Sequence, residues 1–95
     1  MSKFSARYTP ECARLISKLP PNIKRLVRAT IDALLAKPTN ATELTGELNG
    51  YWSYRVRRYR IIYRINEEEC CIEVYHVGHR RDVYENLRSI LSRRA

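Results

Sequence analysis

YWSYRVRRYRIIYRI, Tyr51 to Ile65, decides how this chain folds. Its apolar residues recur every second position: Trp52, Tyr54 and Val56 fall on one face, with Ser53, Arg55 and Arg57 on the other. That period predicts a strand with an aromatic–aliphatic core side and a basic outer side. Arg57-Arg58 sits where the chain reverses, and Tyr59 to Ile65 returns as the next strand. In it Tyr59, Ile61, Tyr63 and Ile65 share a face, opposite Arg60, Ile62 and Arg64. Strands joined by so short a turn lie about 5 Å apart, so Arg55, Arg57 and Arg60 are expected on one sheet face.

C-terminal to this hairpin, NEEE (Asn66–Glu69) reads as a polar turn and Cys71 to Val77 as a third strand of the meander. A last helix is expected from Asp82, with Val83, Leu87, Ile90 and Leu91 on its apolar stripe and Tyr84 at the stripe's margin. N-terminal to it, Pro38 to Gly50 is rich in turn formers. Before that loop, Ile23, Leu26, Val27, Ile31, Leu34 and Leu35 recur at helical spacing until Lys37-Pro38. A shorter helix begins at TPEC, with Thr9 as cap, Pro10 first in the helix and Glu11 in the first turn; Cys12, Leu15, Ile16 and Leu19 form its apolar face. Lys3 to Tyr8 alternates enough for a leading strand. The order β-α-α-β-β-β-α predicts an α+β domain: an antiparallel sheet with the N-terminal helical hairpin packed on one face.

With 95 residues, one domain spanning 1–95 is expected. No apolar run reaches the roughly 20 residues that span a bilayer, and the N-terminus lacks a secretory hydrophobic segment; a soluble, cytoplasmic protein is expected. Cys12, Cys70 and Cys71 have no zinc-ligand spacing, and adjacent strand residues point apart, so they read as small apolar residues with no metal site. The net charge of +8 and pI near 9.8 point to a polyanionic partner, nucleic acid or an acidic protein. Every basic residue after Tyr51 is arginine, whose planar fork binds phosphate bidentately and keeps its proton.

The third strand ends in VGHRRDVYENL (Val77–Leu87), delivering His79, Arg80 and Arg81 beside the hairpin arginines, with Tyr84 following. His76, inside an apolar strand, reads as structural; His79, after a glycine at a strand end, reads as solvent-facing. Any one exposed strand arginine is more often a solvated face than a contact. Together these residues suit an RNA site in which arginines hold phosphates and aromatic rings stack on unpaired bases.

ELTGELNGYWSYRVRRYRIIYRI followed by IEVYHVGHRRDVYENL resembles the RelE/ParE superfamily of bacterial and archaeal toxins, in an ordered set of motifs: L-x-G, an arginine–tyrosine hairpin, then V-G-x-R with a tyrosine a few residues on. The resemblance implies a RelE-like fold and the toxin of a type II toxin–antitoxin system. For RelE-like members it further implies a metal- and cofactor-independent endoribonuclease that cuts mRNA at the ribosomal A site, the RNA's 2′-hydroxyl attacking the phosphodiester. By that resemblance Arg60 matches the arginine of the hairpin's Y-R step, Arg80 the one after V-G-x, and Tyr84 the tyrosine opening the last helix. Arg60 and Arg80 would stabilise phosphoryl charge. Tyr84 would be the general base, its phenol lowered from about 10 by a neighbouring guanidinium. His79 is the alternative acid or base, and Arg55, Arg57, Arg58 and Arg81 would bind RNA.

Two departures stand out. Ser53 occupies a position where some ribosome-dependent relatives carry a basic residue, and Arg57-Arg58 replaces a Gly-Asp type of turn. Relatives of the ParE kind share the scaffold, generally lack the arginine–tyrosine set and inhibit DNA gyrase instead. The resemblance also implies an acidic, RelB-like antitoxin partner, and contact with operator DNA only through the antitoxin complex.

Overall fold

The computed structural model describes residues 4–79. The expected last helix, and with it Arg80, Arg81 and Tyr84, lies outside the described residues. Within them the order is β1 (Ser5–Tyr8), α1 (Pro10–Ser17), α2 (Pro21–Ala36), β2 (Thr42–Glu43), a single 3₁₀ turn (Gly46–Leu48), β3 (Trp52–Val56), β4 (Tyr59–Asn66) and β5 (Cys71–His79).

The helices start and stop where their sequences dictate. Thr9 caps α1, its Oγ1 accepting the Cys12 N–H at 3.1 Å, and Pro10 opens the helix at a position whose N–H needs no partner. Pro21 opens α2 in the same way, and α2 ends at Ala36, just before Lys37, which the following Pro38 biases away from helical geometry. Cys12 and Ile16 of α1, with Val27, Ile31, Leu34 and Leu35 of α2, pack onto Val56, Ile61, Tyr63, Ile72, Val74 and Val77 of the sheet. Each such aliphatic side chain stabilises the fold by about 1.5–3 kcal/mol when fully buried. The buried Tyr63 hydroxyl donates to the Pro38 carbonyl, pinning the end of α2 to the centre of the sheet.

The five strands lie in the order β1-β5-β4-β3-β2. Three pairings are antiparallel, as expected; β1 runs parallel to β5, with Ser5 opposite Cys71 and Tyr8 opposite Val74. The helical hairpin between β1 and the rest of the chain makes this possible, because parallel neighbours need a long crossover. Two further differences from the sequence reading matter. The loop at 38–50 contains the two-residue strand β2, pairing Thr42 with Ser53 and Glu43 with Trp52. β5 continues to His79 and carries a bulge: Ile62 pairs with His76 but Tyr63 with Val74, leaving Tyr75 as the extra residue. The bulge lets Val74 and Val77 both face the helices, while Tyr75 joins Tyr51 and Ile62 in a second buried cluster, flanked by Leu44 and Leu48. The sheet face away from the helices is therefore part apolar and part basic.

Candidate RNA-binding site

The β3–β4 hairpin brings the arginines together. Its register sets Val56 opposite Tyr59, Arg55 opposite Arg60 and Ser53 opposite Ile62. Val56 and Ile61 face the helices, so alternation sends Ser53, Arg55, Arg60 and Ile62 to the other side. Arg55 and Arg60 are thus immediate cross-strand neighbours on the face away from the helices.

Each of these two guanidiniums is tethered. The exposed Arg55 donates from Nε to the Arg57 carbonyl at 3.2 Å. The half-buried Arg60 donates from Nη1 to the Ser53 Oγ at 3.3 Å, and its buried Nε has no hydrogen-bond partner among the described residues. Arg57 and Arg58 occupy the exposed turn as expected. Arg57 holds a positive φ of 54°, a left-handed conformation that favours glycine. It thus belongs to the turn rather than to the strand face, and its backbone, not its guanidinium, supports Arg55.

The histidines are distributed differently from the sequence reading. His79 pairs with Tyr59, one position beyond the Arg60–Gly78 pair, so its side chain projects from the helix side of the sheet. There its ring lies 4.5 Å from that of Tyr59 at a tilt of 31°, at the rim of a cavity of about 250 Å³ beside β5, lined also by Leu15, Lys18, Leu19, His76 and Gly78. On the arginine face the histidine is His76, 2% exposed and opposite Ile62. Its ring fills the space above Gly78: a Cβ built there would stand 2.7 Å from the His76 Nε2.

Two participants escaped the sequence reading. Ser53, 3% exposed, holds Arg60, and His76 flanks it. A signal for the first was present, because a two-residue turn fixes the register and makes position 53 a diagonal neighbour of position 60 on the same face. Further along that face, the Arg64 guanidinium sits 5.3 Å from the centre of the Tyr51 ring, a cation–π contact. Two neighbouring arginines on one sheet face can each offer charge-assisted hydrogen bonds to phosphate oxygens. Among the described residues no group of three His, Cys, Asp or Glu side chains is placed to hold a metal ion, and no helix is long and apolar enough to cross a membrane.

Comparison with known proteins places this geometry in context. Residues 3–84 match the family model described as ParE toxin of type II toxin-antitoxin system, parDE. Toxin RelG of Mycobacterium tuberculosis is 34% identical over 83 residues, covering 85% of this chain and 95% of that protein. In structure the chain resembles the toxin–antitoxin complex RelBE2 from Mycobacterium tuberculosis, with a TM-score of 0.75, 33% identity, and coverage of 84% of this chain and 94% of that one. The isolated E. coli RelE toxin shares the fold, with a TM-score of 0.73 at 20% identity over 95% of this chain and 99% of that one.

Proposed function

Since this chain belongs to the ParE toxin family of type II toxin–antitoxin systems, within the RelE/ParE superfamily, we propose that it acts as a ribosome-dependent endoribonuclease that cuts mRNA at the A site. The 2′-hydroxyl of one nucleotide attacks the adjacent phosphorus, forming a 2′,3′-cyclic phosphate, and the bond to the 5′-oxygen breaks, that oxygen leaving as a hydroxyl with a proton taken from solvent. Negative charge grows on the non-bridging oxygens, where Arg60 and Arg80 stabilise it; one preorganised donor of this kind is worth about 10²–10³ in rate. Tyr84 takes the 2′-hydroxyl proton. Arg55, Arg57, Arg58 and Arg81 hold the flanking phosphates.

The observation that carries this reading is the Arg55–Arg60 pair, two cross-strand arginines on the sheet face away from the helices, each tethered by its own hydrogen bond. Similarity to Toxin RelG supports the same branch. The RelBE2 complex supports a cognate RelB-like antitoxin as partner, and the chain's net charge of +8 suits an acidic one. A second reading, inhibition of DNA gyrase, is favoured by the ParE description of the matching family. Inducing the protein without its antitoxin separates the two. The nuclease leaves new mRNA ends inside codons and normal plasmid supercoiling. A gyrase inhibitor leaves intact mRNA and relaxed plasmid.

A further inference from the structure

An arginine side chain has many rotamers, so Arg60 stabilises developing charge efficiently only if its guanidinium is set before the reaction begins. We propose that Ser53 is the positioning residue for Arg60, fixing its guanidinium on the sheet face away from the helices through the Oγ–Nη1 hydrogen bond. This inference rests on the nuclease reading of the same site.

Four features support it. The Ser53 hydroxyl, 3.3 Å from Nη1, belongs to a residue only 3% exposed, so water competes little for it. Ser53 lies on β3, paired on one side with Ile62 of β4 and on the other with Thr42 of β2, so its own position is held from both sides. The neighbouring surfaces are closed: Ile62 is fully buried, and His76 packs over Gly78, the residue directly across from Arg60. Arg60 therefore has Ser53 on one flanking strand and the His76–Gly78 pair on the other. Finally, the anchor is neutral. A basic side chain at position 53 would set a third cation beside the facing Arg55 and Arg60, whereas a hydroxyl orients Arg60 and leaves its charge free for the phosphate.

The test uses the full chain, wild type, Ser53→Ala and Ser53→Thr, in two measurements. In single-message cleavage on programmed ribosomes, Ser53→Ala is expected to lower kcat about tenfold or more with little change in KM, the signature of an interaction that matters in the transition state. Ser53→Thr, which keeps the hydroxyl, restores most of the rate. In nitrogen-15 NMR of the arginine side chains, the Arg60 Nη signals are separate in the wild type and in Ser53→Thr and merge in Ser53→Ala as the guanidinium rotates freely. Wild-type kcat in Ser53→Ala, or Arg60 signals indifferent to the substitution, overturns the positioning role. Should wild type and Arg60→Ala both leave mRNA uncut, the nuclease reading fails, and the NMR still decides whether Ser53 holds Arg60.

Discussion

Arg55 and Arg60 stand directly opposite each other across the β3–β4 hairpin. Like charges in that relationship destabilise a strand pair by an amount on the order of 0.2–1 kcal/mol, and a fold with no use for them would gain by losing one. Arg55→Thr is therefore expected to raise thermal stability at low ionic strength while weakening RNA binding. Added salt should narrow the stability gap, since screening relieves the repulsion. Melting curves of the two proteins across a salt series check this; a variant less stable than wild type at every salt concentration would falsify the view of the pair as a strained anion site.

Arg60 and His79 lie on opposite sides of the sheet, and their variants should differ accordingly. Arg60→Ala is expected to reduce cleavage by about 10²–10³ with the fold intact. His79→Ala should leave the rate near that of wild type, because its ring packs against Tyr59 on the helix side. Tyr84→Phe is expected to behave like Arg60→Ala. Rates on one defined message decide among them, and a loss in His79→Ala as large as that in Arg60→Ala would assign the proton transfer to the histidine after all.

Gly78 is required by space rather than by backbone conformation. Its added Cβ would meet the His76 Nε2 at 2.7 Å, and that residue is 2% exposed. Gly78→Ala should cost about 1–3 kcal/mol, the range for overpacking. Urea denaturation of Gly78→Ala, His76→Ala and the double variant tests the contact. The double variant should be more stable than the sum of the single losses predicts; simple additivity would mean that the two positions do not collide.

Among the described residues, burial raises the titrations of Tyr8, Cys12 and Tyr63 on the helix side of the sheet, the last two strongly. It pushes the Cys12 thiol from 9.0 to about 12 and the Tyr63 phenol from 10.0 to about 12. Both groups bind their protons more tightly folded than unfolded, so stability is complete below about pH 9 and falls as pH rises toward 12. Cys12→Ala should flatten the first part of that decline. Tyr63→Phe should flatten the later part, and it should also lower stability near neutrality by about 1–3 kcal/mol through the unsatisfied Pro38 carbonyl. Denaturation midpoints between pH 7 and 12 measure both effects; identical pH profiles for all three proteins would contradict the assignment.

Local chemistry made much of the fold legible. Thr9, Pro10 and Pro21 marked the helix starts because caps and proline act within one turn. The alternation from Trp52 to Ile65 gave the hairpin and placed Arg55 with Arg60, since a two-residue turn leaves one register. The parallel pairing of β1 with β5 was not legible, because its partners lie more than 60 residues apart and no local spacing encodes it. The bulge was half-visible: Ile72 and Val74 keep one parity and Val77 breaks it, but the break has meaning only against the paired Ile62 and Tyr63. That same unread bulge is why the histidine beside Arg60 is His76 rather than His79.

The most direct test of the account uses two messages on programmed ribosomes, identical except that one carries a 2′-deoxy nucleotide at the cut position. If the 2′-hydroxyl is the nucleophile and Arg60 stabilises the resulting charge, the wild-type protein cuts the all-RNA message to a 2′,3′-cyclic phosphate and leaves the deoxy message whole, and Arg60→Ala cuts neither at a comparable rate. Equal cutting of both messages, or no cutting of the all-RNA message by the wild type, would contradict it.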